Sequence, residues 1–299
     1  MTQAMPDRNL RVGQKLGLMT WRSMMGLFSL MTRSARRALG DAVSEHHYGP
    51  HPSERIEFMG PKDAESKKAP LVYIHGGGWI CGKMEMYTAE LVFLAEEGYP
   101  VFNLEYPLAP ERPHPHMLLS LLSALAWIKK EHPQYEAIHL MGDSAGGNLA
   151  LMLGILVANP ELIKALDPDF SESLPTVESV VSIYGVLDRL SWIEEGFPSA
   201  ALMLECYAGA EALEPQIGSE QAVTPMDLEF SNLPPSFVVA GSKDQLAESS
   251  RLCAESLKGR FDSVSYKVYP GEAHGFFNRS ARPASQELRG DIIEFLSGN

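Results

Sequence analysis

Ser144 lies in Gly142-Asp143-Ser144-Ala145-Gly146-Gly147, a GxSxG frame. The residues before it, Ala137–Met141, read as a buried strand, and those after it, Asn148–Leu153, as the start of a helix. A serine between the two sits on a tight strand-to-helix turn. Gly142 and Gly146 let neighbouring backbone pass close while the hydroxyl is pushed out over the sheet. The helix N-terminus behind it favours developing negative charge. This is the setting of a nucleophile rather than of a serine that merely caps a helix.

A second motif, His75-Gly76-Gly77-Gly78-Trp79, ends the strand expected over Leu71–His75. Consecutive glycines allow backbone N–H groups to converge on one space, which is what a tetrahedral oxyanion requires. The motif lacks the spacing of a dinucleotide fingerprint or a P-loop, so beside a serine nucleophile it reads as an oxyanion loop. A serine also needs a base, and the base an orienting acid. Of nine histidines, His274 in Gly271-Glu272-Ala273-His274-Gly275-Phe276 is best placed, after the strand expected over Val264–Tyr269. Gly241-Ser242-Lys243-Asp244 follows the strand Ser236–Ala240 and makes Asp244 the candidate acid, with Asp227, Asp262 and Glu248 as alternatives. The chain order Ser144, Asp244, His274 is the one this architecture uses.

The elements that must position these residues alternate. Strands are expected at Arg55–Met59, Leu71–His75, Val101–Glu105, Ala137–Met141, Ser179–Tyr184, Ser236–Ala240 and Val264–Tyr269. Helices are expected at Met86–Glu97, Met117–Glu131, Ala145–Ala158, Gln245–Lys258 and Ala284–Leu296. Near-continuous apolar strands alternating with helices specify an α/β fold, a mostly parallel sheet covered on both faces. Two stretches break the pattern: the Met-rich, amphipathic residues 1–45 and an apolar insertion at about 186–226 that carries Trp192, Phe197, Met203, Leu204 and Tyr207.

With HGGGW at 75–79, GDSAGG at 142–147, the Asp244 and His274-Gly275-Phe276 pair, and Tyr106-Pro107-Leu108-Ala109-Pro110-Glu111, the chain resembles the hormone-sensitive-lipase-like (bacterial family IV) carboxylesterases of the α/β-hydrolase fold. The resemblance covers roughly residues 55–299. It implies that the amides of Gly77, Gly78 and Ala145 form the oxyanion hole. It implies too that residues 1–45 and about 186–226 form a helical cap over a catalytic domain of residues 46–299. Members of that family often pair through the edge strand, so a homodimer through 264–269 is expected. The sequence departs from the family pattern at Pro107, where arginine is usual, and at Gln245, where proline commonly follows the acid.

The expected activity is hydrolysis of short- to medium-chain, fairly apolar carboxylic esters through an acyl-enzyme, with no metal or organic cofactor. An amidase or aryl-formamidase with the same triad is the alternative. A non-catalytic ligand receptor on the same fold is disfavoured by the presence of His274. A net charge of −13 argues against nucleic-acid binding. Residues 1–40 are the exception: seven basic side chains, Arg8 among them, face the single acid Asp7, so that contact with a lipid surface competes with the cap reading. Three cysteines without metal or CxxC spacing, no secretory signal and no apolar run of the ~18 residues a membrane span needs make a reducing, cytoplasmic setting the expectation. His114 and His116 read as a surface loop rather than a metal site, His46-His47-Tyr48 as linker, and Cys81 as a small packed hydrophobe.

Overall fold

Val72 and Tyr73 are neighbours in sequence yet belong to opposite faces of one sheet, and this alternation builds both cores. The computed structural model describes residues 10–61, 66–215 and 222–298. Asp7 and Arg8 of the basic segment and residues 216–221 of the expected insertion lie outside the described residues.

Eight strands form the sheet: β1 (Val43–His47), β2 (Arg55–Met59), β3 (Leu71–Ile74), β4 (Val101–Leu104), β5 (Ala137–Asp143), β6 (Thr176–Ile183), β7 (Ser236–Gly241) and β8 (Val264–Tyr269), in the order β1-β2-β4-β3-β5-β6-β7-β8. β1, β2 and β4 pair antiparallel, and every pairing from β4 through β3 to β8 is parallel. Val72, Ile74, Phe102, Ile138, Leu140, Val180 and Val238 face one layer, made by α3 (His116–Glu131), α4 (Ala145–Ala158) and α8 (Ala247–Lys258). Leu71, Tyr73, Val101, Met141, Val181 and Val239 face the other, where α2 (Val92–Glu96) and α9 (Pro283–Ser297) pack. Strands buried on both faces can carry apolar residues at every position, which is why they read as unbroken apolar runs.

Two differences from the sequence reading concern the first third of the chain. Val43–His47 is an edge strand, so the boundary expected between residues 45 and 46 falls inside β1, and His46 and His47 belong to the sheet rather than to a linker. The register Val43↔Met59 to His47↔Arg55 is held by backbone pairing; only Val43 is buried, so the strand has no apolar alternation. Tyr48 follows it into the core and donates its hydroxyl to the Glu105 carbonyl at 2.8 Å. The helix expected at Met86–Glu97 is a pair of 3-10 turns leading into α2. The Met84 carbonyl accepts the Tyr87 amide at 2.9 Å, closing the first 3-10 turn, and also takes the Asn103 side-chain amide at 2.9 Å and the Thr88 hydroxyl at 3.4 Å.

Outside this frame lie α1 (Val12–Ala38), α5 (Pro160–Leu166), and the short helices of the insertion, α6 (Arg189–Glu194) and α7 (Ala200–Ala208). The insertion is stapled by buried Arg189, which pairs with Asp227 at 3.0 Å and donates to the carbonyls of Ala212, Glu214 and Pro215. A buried guanidinium is tolerable only when its donors are satisfied in this way. Among the described residues no single helix is long and apolar enough to cross a membrane.

Candidate active site

The turn from β5 into α4 holds Ser144 at φ 55°, ψ −122°, a conformation that a non-glycine residue adopts only when its surroundings enforce it. The enforcement is visible on both sides. The Ser144 amide donates to the Ile183 carbonyl of β6 at 2.9 Å, and a Cβ on Gly146 would stand 2.0 Å from the Ile74 carbonyl of β3. No side chain fits at residue 146, so the strand ends close tightly around the serine.

The Ser144 hydroxyl lies 3.0 Å from His274 Nε2, and His274 Nδ1 lies 2.8 Å from Asp244 Oδ2. The three groups come from the loops after β5, β8 and β7, all at the carboxyl edge of the parallel sheet. Asp244 is buried and its other oxygen accepts the Leu246 amide at 2.8 Å, which fixes the carboxylate's orientation. The alternative acids are placed elsewhere: Asp227 pairs with Arg189, Glu248 pairs with Arg251 on α8, and Asp262 lies in an exposed turn. His274 is clamped between the Tyr184 ring, 4.8 Å away, and the edge of Phe197, 5.2 Å away.

Gly77 and Gly78 follow β3 with φ of 125° and 58°. The Gly77 carbonyl turns inward to accept the amides of Ile80 and Cys81, while among the described residues the amides of Gly77 and Gly78 donate to no protein acceptor. Ala145 opens α4, where the first-turn amides have no intrahelical partner. The loop is held by Asp143, which accepts the Gly76 amide and the Tyr73 hydroxyl, each at 2.8 Å, with Asn278 at 3.3 Å and Tyr87 at 3.4 Å. Burial pushes the Asp143 carboxyl above its ordinary range while these hydrogen bonds pull it back. Burial and the Asp143 charge push the Tyr73 phenol well above its ordinary range, so it remains a donor.

His75 is buried under the same loop, stacked on Tyr106 at 4.4 Å, with Nδ1 2.7 Å from the Gly76 carbonyl and Nε2 3.7 Å from Glu105. Burial disfavours its cation, Glu105 outweighs that, and its pKa ends above the ordinary value. Cys81 donates its thiol to the Gly77 carbonyl at 3.0 Å, and burial pushes that thiol up to about 12 against the opposing pull of Arg22. It is packed rather than reactive.

Aromatic and sulfur groups wall the site. Trp79 stacks on Tyr207 of α7 with ring centres 4.5 Å apart, Trp192 of α6 meets Trp79 edge-on at 5.7 Å, and Phe197 lies 5.5 Å from Trp192. The Met203 sulfur stands 2.3 Å from where a Cβ on Gly78 would be, so that glycine admits α7 against the loop. From the other side Arg22 of α1 donates to the carbonyls of Ile80 and Ala109, each at 2.9 Å, and forks onto Glu111. Neither Arg22 nor the Asp143 hub was assigned a part in the chemistry from sequence. Asp143 does lie inside the GDSAGG motif beside Ser144, where the plain expectation is a hydrogen bond to the loop, whereas the contacts of Arg22 span dozens of residues and no local pattern marks it. Among the described residues no group of three or more His, Cys, Asp or Glu is placed to hold a metal ion.

A family model described as the alpha/beta hydrolase fold matches residues 71–278, a span that includes Gly77, Gly78, Ser144, Asp244 and His274. The chain belongs to the α/β-hydrolase family. Within it the chain falls in the hormone-sensitive-lipase-like branch. It is 29% identical over 241 residues to Esterase LipC of Mycobacterium tuberculosis, a match that covers 77% of this chain and 58% of LipC. It is 27% identical over 265 residues to Esterase LipQ of the same organism, covering 85% of this chain and 62% of LipQ. The chain thus spans less than two thirds of the length of either relative. Among solved structures, a hyperthermophilic esterase from the archaeon Pyrobaculum calidifontis superposes with a TM-score of 0.74 at 26% identity, covering 94% of this chain and 93% of that one.

Proposed function

We propose that this α/β-hydrolase is a serine carboxylesterase acting on short- to medium-chain, fairly apolar esters. The observation that carries the reading is the continuous chain from the Ser144 hydroxyl through His274 to Asp244, set beside the unengaged amides of Gly77 and Gly78. His274 Nε2 takes the Ser144 proton as the oxygen attacks the ester carbonyl. The carbonyl oxygen becomes an oxyanion held by the amides of Gly77, Gly78 and Ala145. The tetrahedral adduct collapses, the C–O bond to the alcohol breaks, and His274 returns the proton to the departing oxygen. Water then attacks the acyl-enzyme with His274 again as base, releasing the acid and restoring Ser144. Asp244 holds the imidazole in the required orientation and stabilises its cation.

In this reading α1, α6 and α7 are the cap, and Phe197 and Met203 are the walls against which an acyl chain packs. The esterase names of the relatives support ester over amide substrates. Three buried thiols suit a reducing, cytoplasmic setting. β8 ends the sheet with Val268 exposed, and a homodimer would pair there. Sedimentation of a Val268→Lys variant against the wild type tests that pairing. The activity is tested by hydrolysis of p-nitrophenyl esters from acetate to dodecanoate, with matched anilides alongside, for wild type and Ser144→Ala. Ester turnover that vanishes in the variant supports the reading. Equal turnover in both defeats the serine mechanism, and faster anilide cleavage moves the reading to an amidase.

A further inference from the structure

One face of α1 is apolar and turned to solvent. Val12, Leu16, Met19, Leu27, Leu30 and Met31 recur at helical spacing, and each is at least 60% exposed. The opposite face, with Leu18, Trp21 and Met25, is the one packed on the core. Among the described residues the stripe is left mostly uncovered. From Arg11 to Leu39 there is no acidic residue, in a protein whose net charge is −13. Lys15, Arg33 and Arg37 run along one edge of the stripe and form no ion pair among the described residues. Beside them a groove of about 510 Å³ gathers Arg33, Arg36, Arg37 and Lys83 around Glu45 and Glu85.

We propose that α1 docks the protein on an anionic lipid surface, lying in the interface with its apolar stripe among the acyl chains and its basic edge among the phosphates. Three features select this occupant. A helix of 27 residues with an uncharged apolar face and a basic flank has the pattern of interfacial helices. Arg22, tied to Glu111 and two carbonyls, anchors the inner face, so α1 lies on the surface rather than inserting across it. The charge sign suits anionic lipid and disfavours a second copy, whose corresponding helix would bring the same cations. The basic edge makes attraction to acidic headgroups fall with salt. The inference does not depend on the esterase reading, because docking needs no turnover.

Vesicle co-sedimentation of the full chain tests it, using phosphatidylcholine vesicles with and without phosphatidylglycerol. Wild type should partition about tenfold more strongly onto the anionic vesicles, and less so in high salt. Leu16→Glu/Leu27→Glu/Met31→Glu should abolish partitioning, and Arg33→Glu/Arg37→Glu should remove the preference for anionic lipid. All these side chains are exposed, and thermal denaturation of each variant checks that it remains folded. Partitioning that is absent in wild type, or unchanged in the triple variant, overturns the proposal. So does self-association of wild type, but not of the triple variant, in analytical ultracentrifugation, because a second copy would then cover the stripe.

Discussion

The Asp143 carboxylate accepts the Gly76 amide at 2.8 Å, so the residue before Ser144 is tied to the residue before Gly77. In the esterase reading, this one buried carboxylate sets the separation between the Ser144 hydroxyl and the amides of Gly77 and Gly78. Asp143→Asn keeps the size but loses the charge and offers Gly76 and Tyr73 a weaker acceptor. Steady-state kinetics should show kcat lower by about 10- to 100-fold with KM little changed, the pattern of an interaction used only in the transition state. A change confined to KM would remove Asp143 from the positioning of the loop.

Asp244→Asn leaves the fold intact and misorients the imidazole. Its kcat should fall by roughly 10⁴-fold, and that of Ser144→Ala at least as far, with the double variant no worse than the worse single one. Additive losses in that cycle would mean the two residues do not act as one unit.

Met203 and Phe197 should govern acyl length. Met203→Ala opens the wall beside Gly78 and should raise the octanoate-to-acetate ratio of kcat/KM by about tenfold, whereas Met203→Trp should lower it. An unchanged chain-length profile in both variants would place the acyl pocket elsewhere.

Arg22→Ala should cut kcat by about tenfold and lower the melting temperature, because the loop beyond Gly78 loses the guanidinium that holds the Ile80 carbonyl. Lysine at residue 22 should rescue only in part, since a single ammonium cannot fork onto Glu111 while reaching two carbonyls.

Stability should depend on pH through His139. It is buried between β3, β6 and Tyr99, with Nδ1 2.8 Å from the Ser179 hydroxyl and Nε2 3.4 Å from the half-exposed Glu178 carboxylate, and burial outweighs that carboxylate to lower its pKa from 6.5 to about 4. Between those values the unfolded chain binds a proton that the folded chain refuses. The contribution of His139 is therefore full above pH 6.5 and is lost as pH drops towards 4, by up to roughly 3 kcal/mol. Urea unfolding of wild type and His139→Leu at pH 7, 5.5 and 4.5 isolates this contribution. A difference between the two proteins that is constant with pH would refute it.

The candidates Ser144, Asp244 and His274 stood out in sequence because each follows an apolar strand that gives way to glycine, at Gly142, Gly241 and Gly271. Seven strands were legible for a related reason: burial on one or both faces leaves an apolar record. β1 left none, because an edge strand held by backbone pairing needs no apolar side chains, and Ser44-Glu45-His46-His47 is polar throughout. The helices α5, α6 and α7 are too short for periodicity to reveal, although the apolar content of the insertion already marked it as packed. Arg22 shows a further limit. Pro107 stands where the family usually has arginine, and the guanidinium that reaches the Ala109 carbonyl and Glu111 comes from more than eighty residues upstream.

Arg22 also makes α1 a partition wall with two working sides. Its inner surface grips the loop that faces Ser144, and its outer surface carries the exposed stripe, with one helix diameter of ~10 Å between them. A load on the outside of that wall therefore meets the Ile80 and Ala109 carbonyls through Arg22 before it meets the sheet.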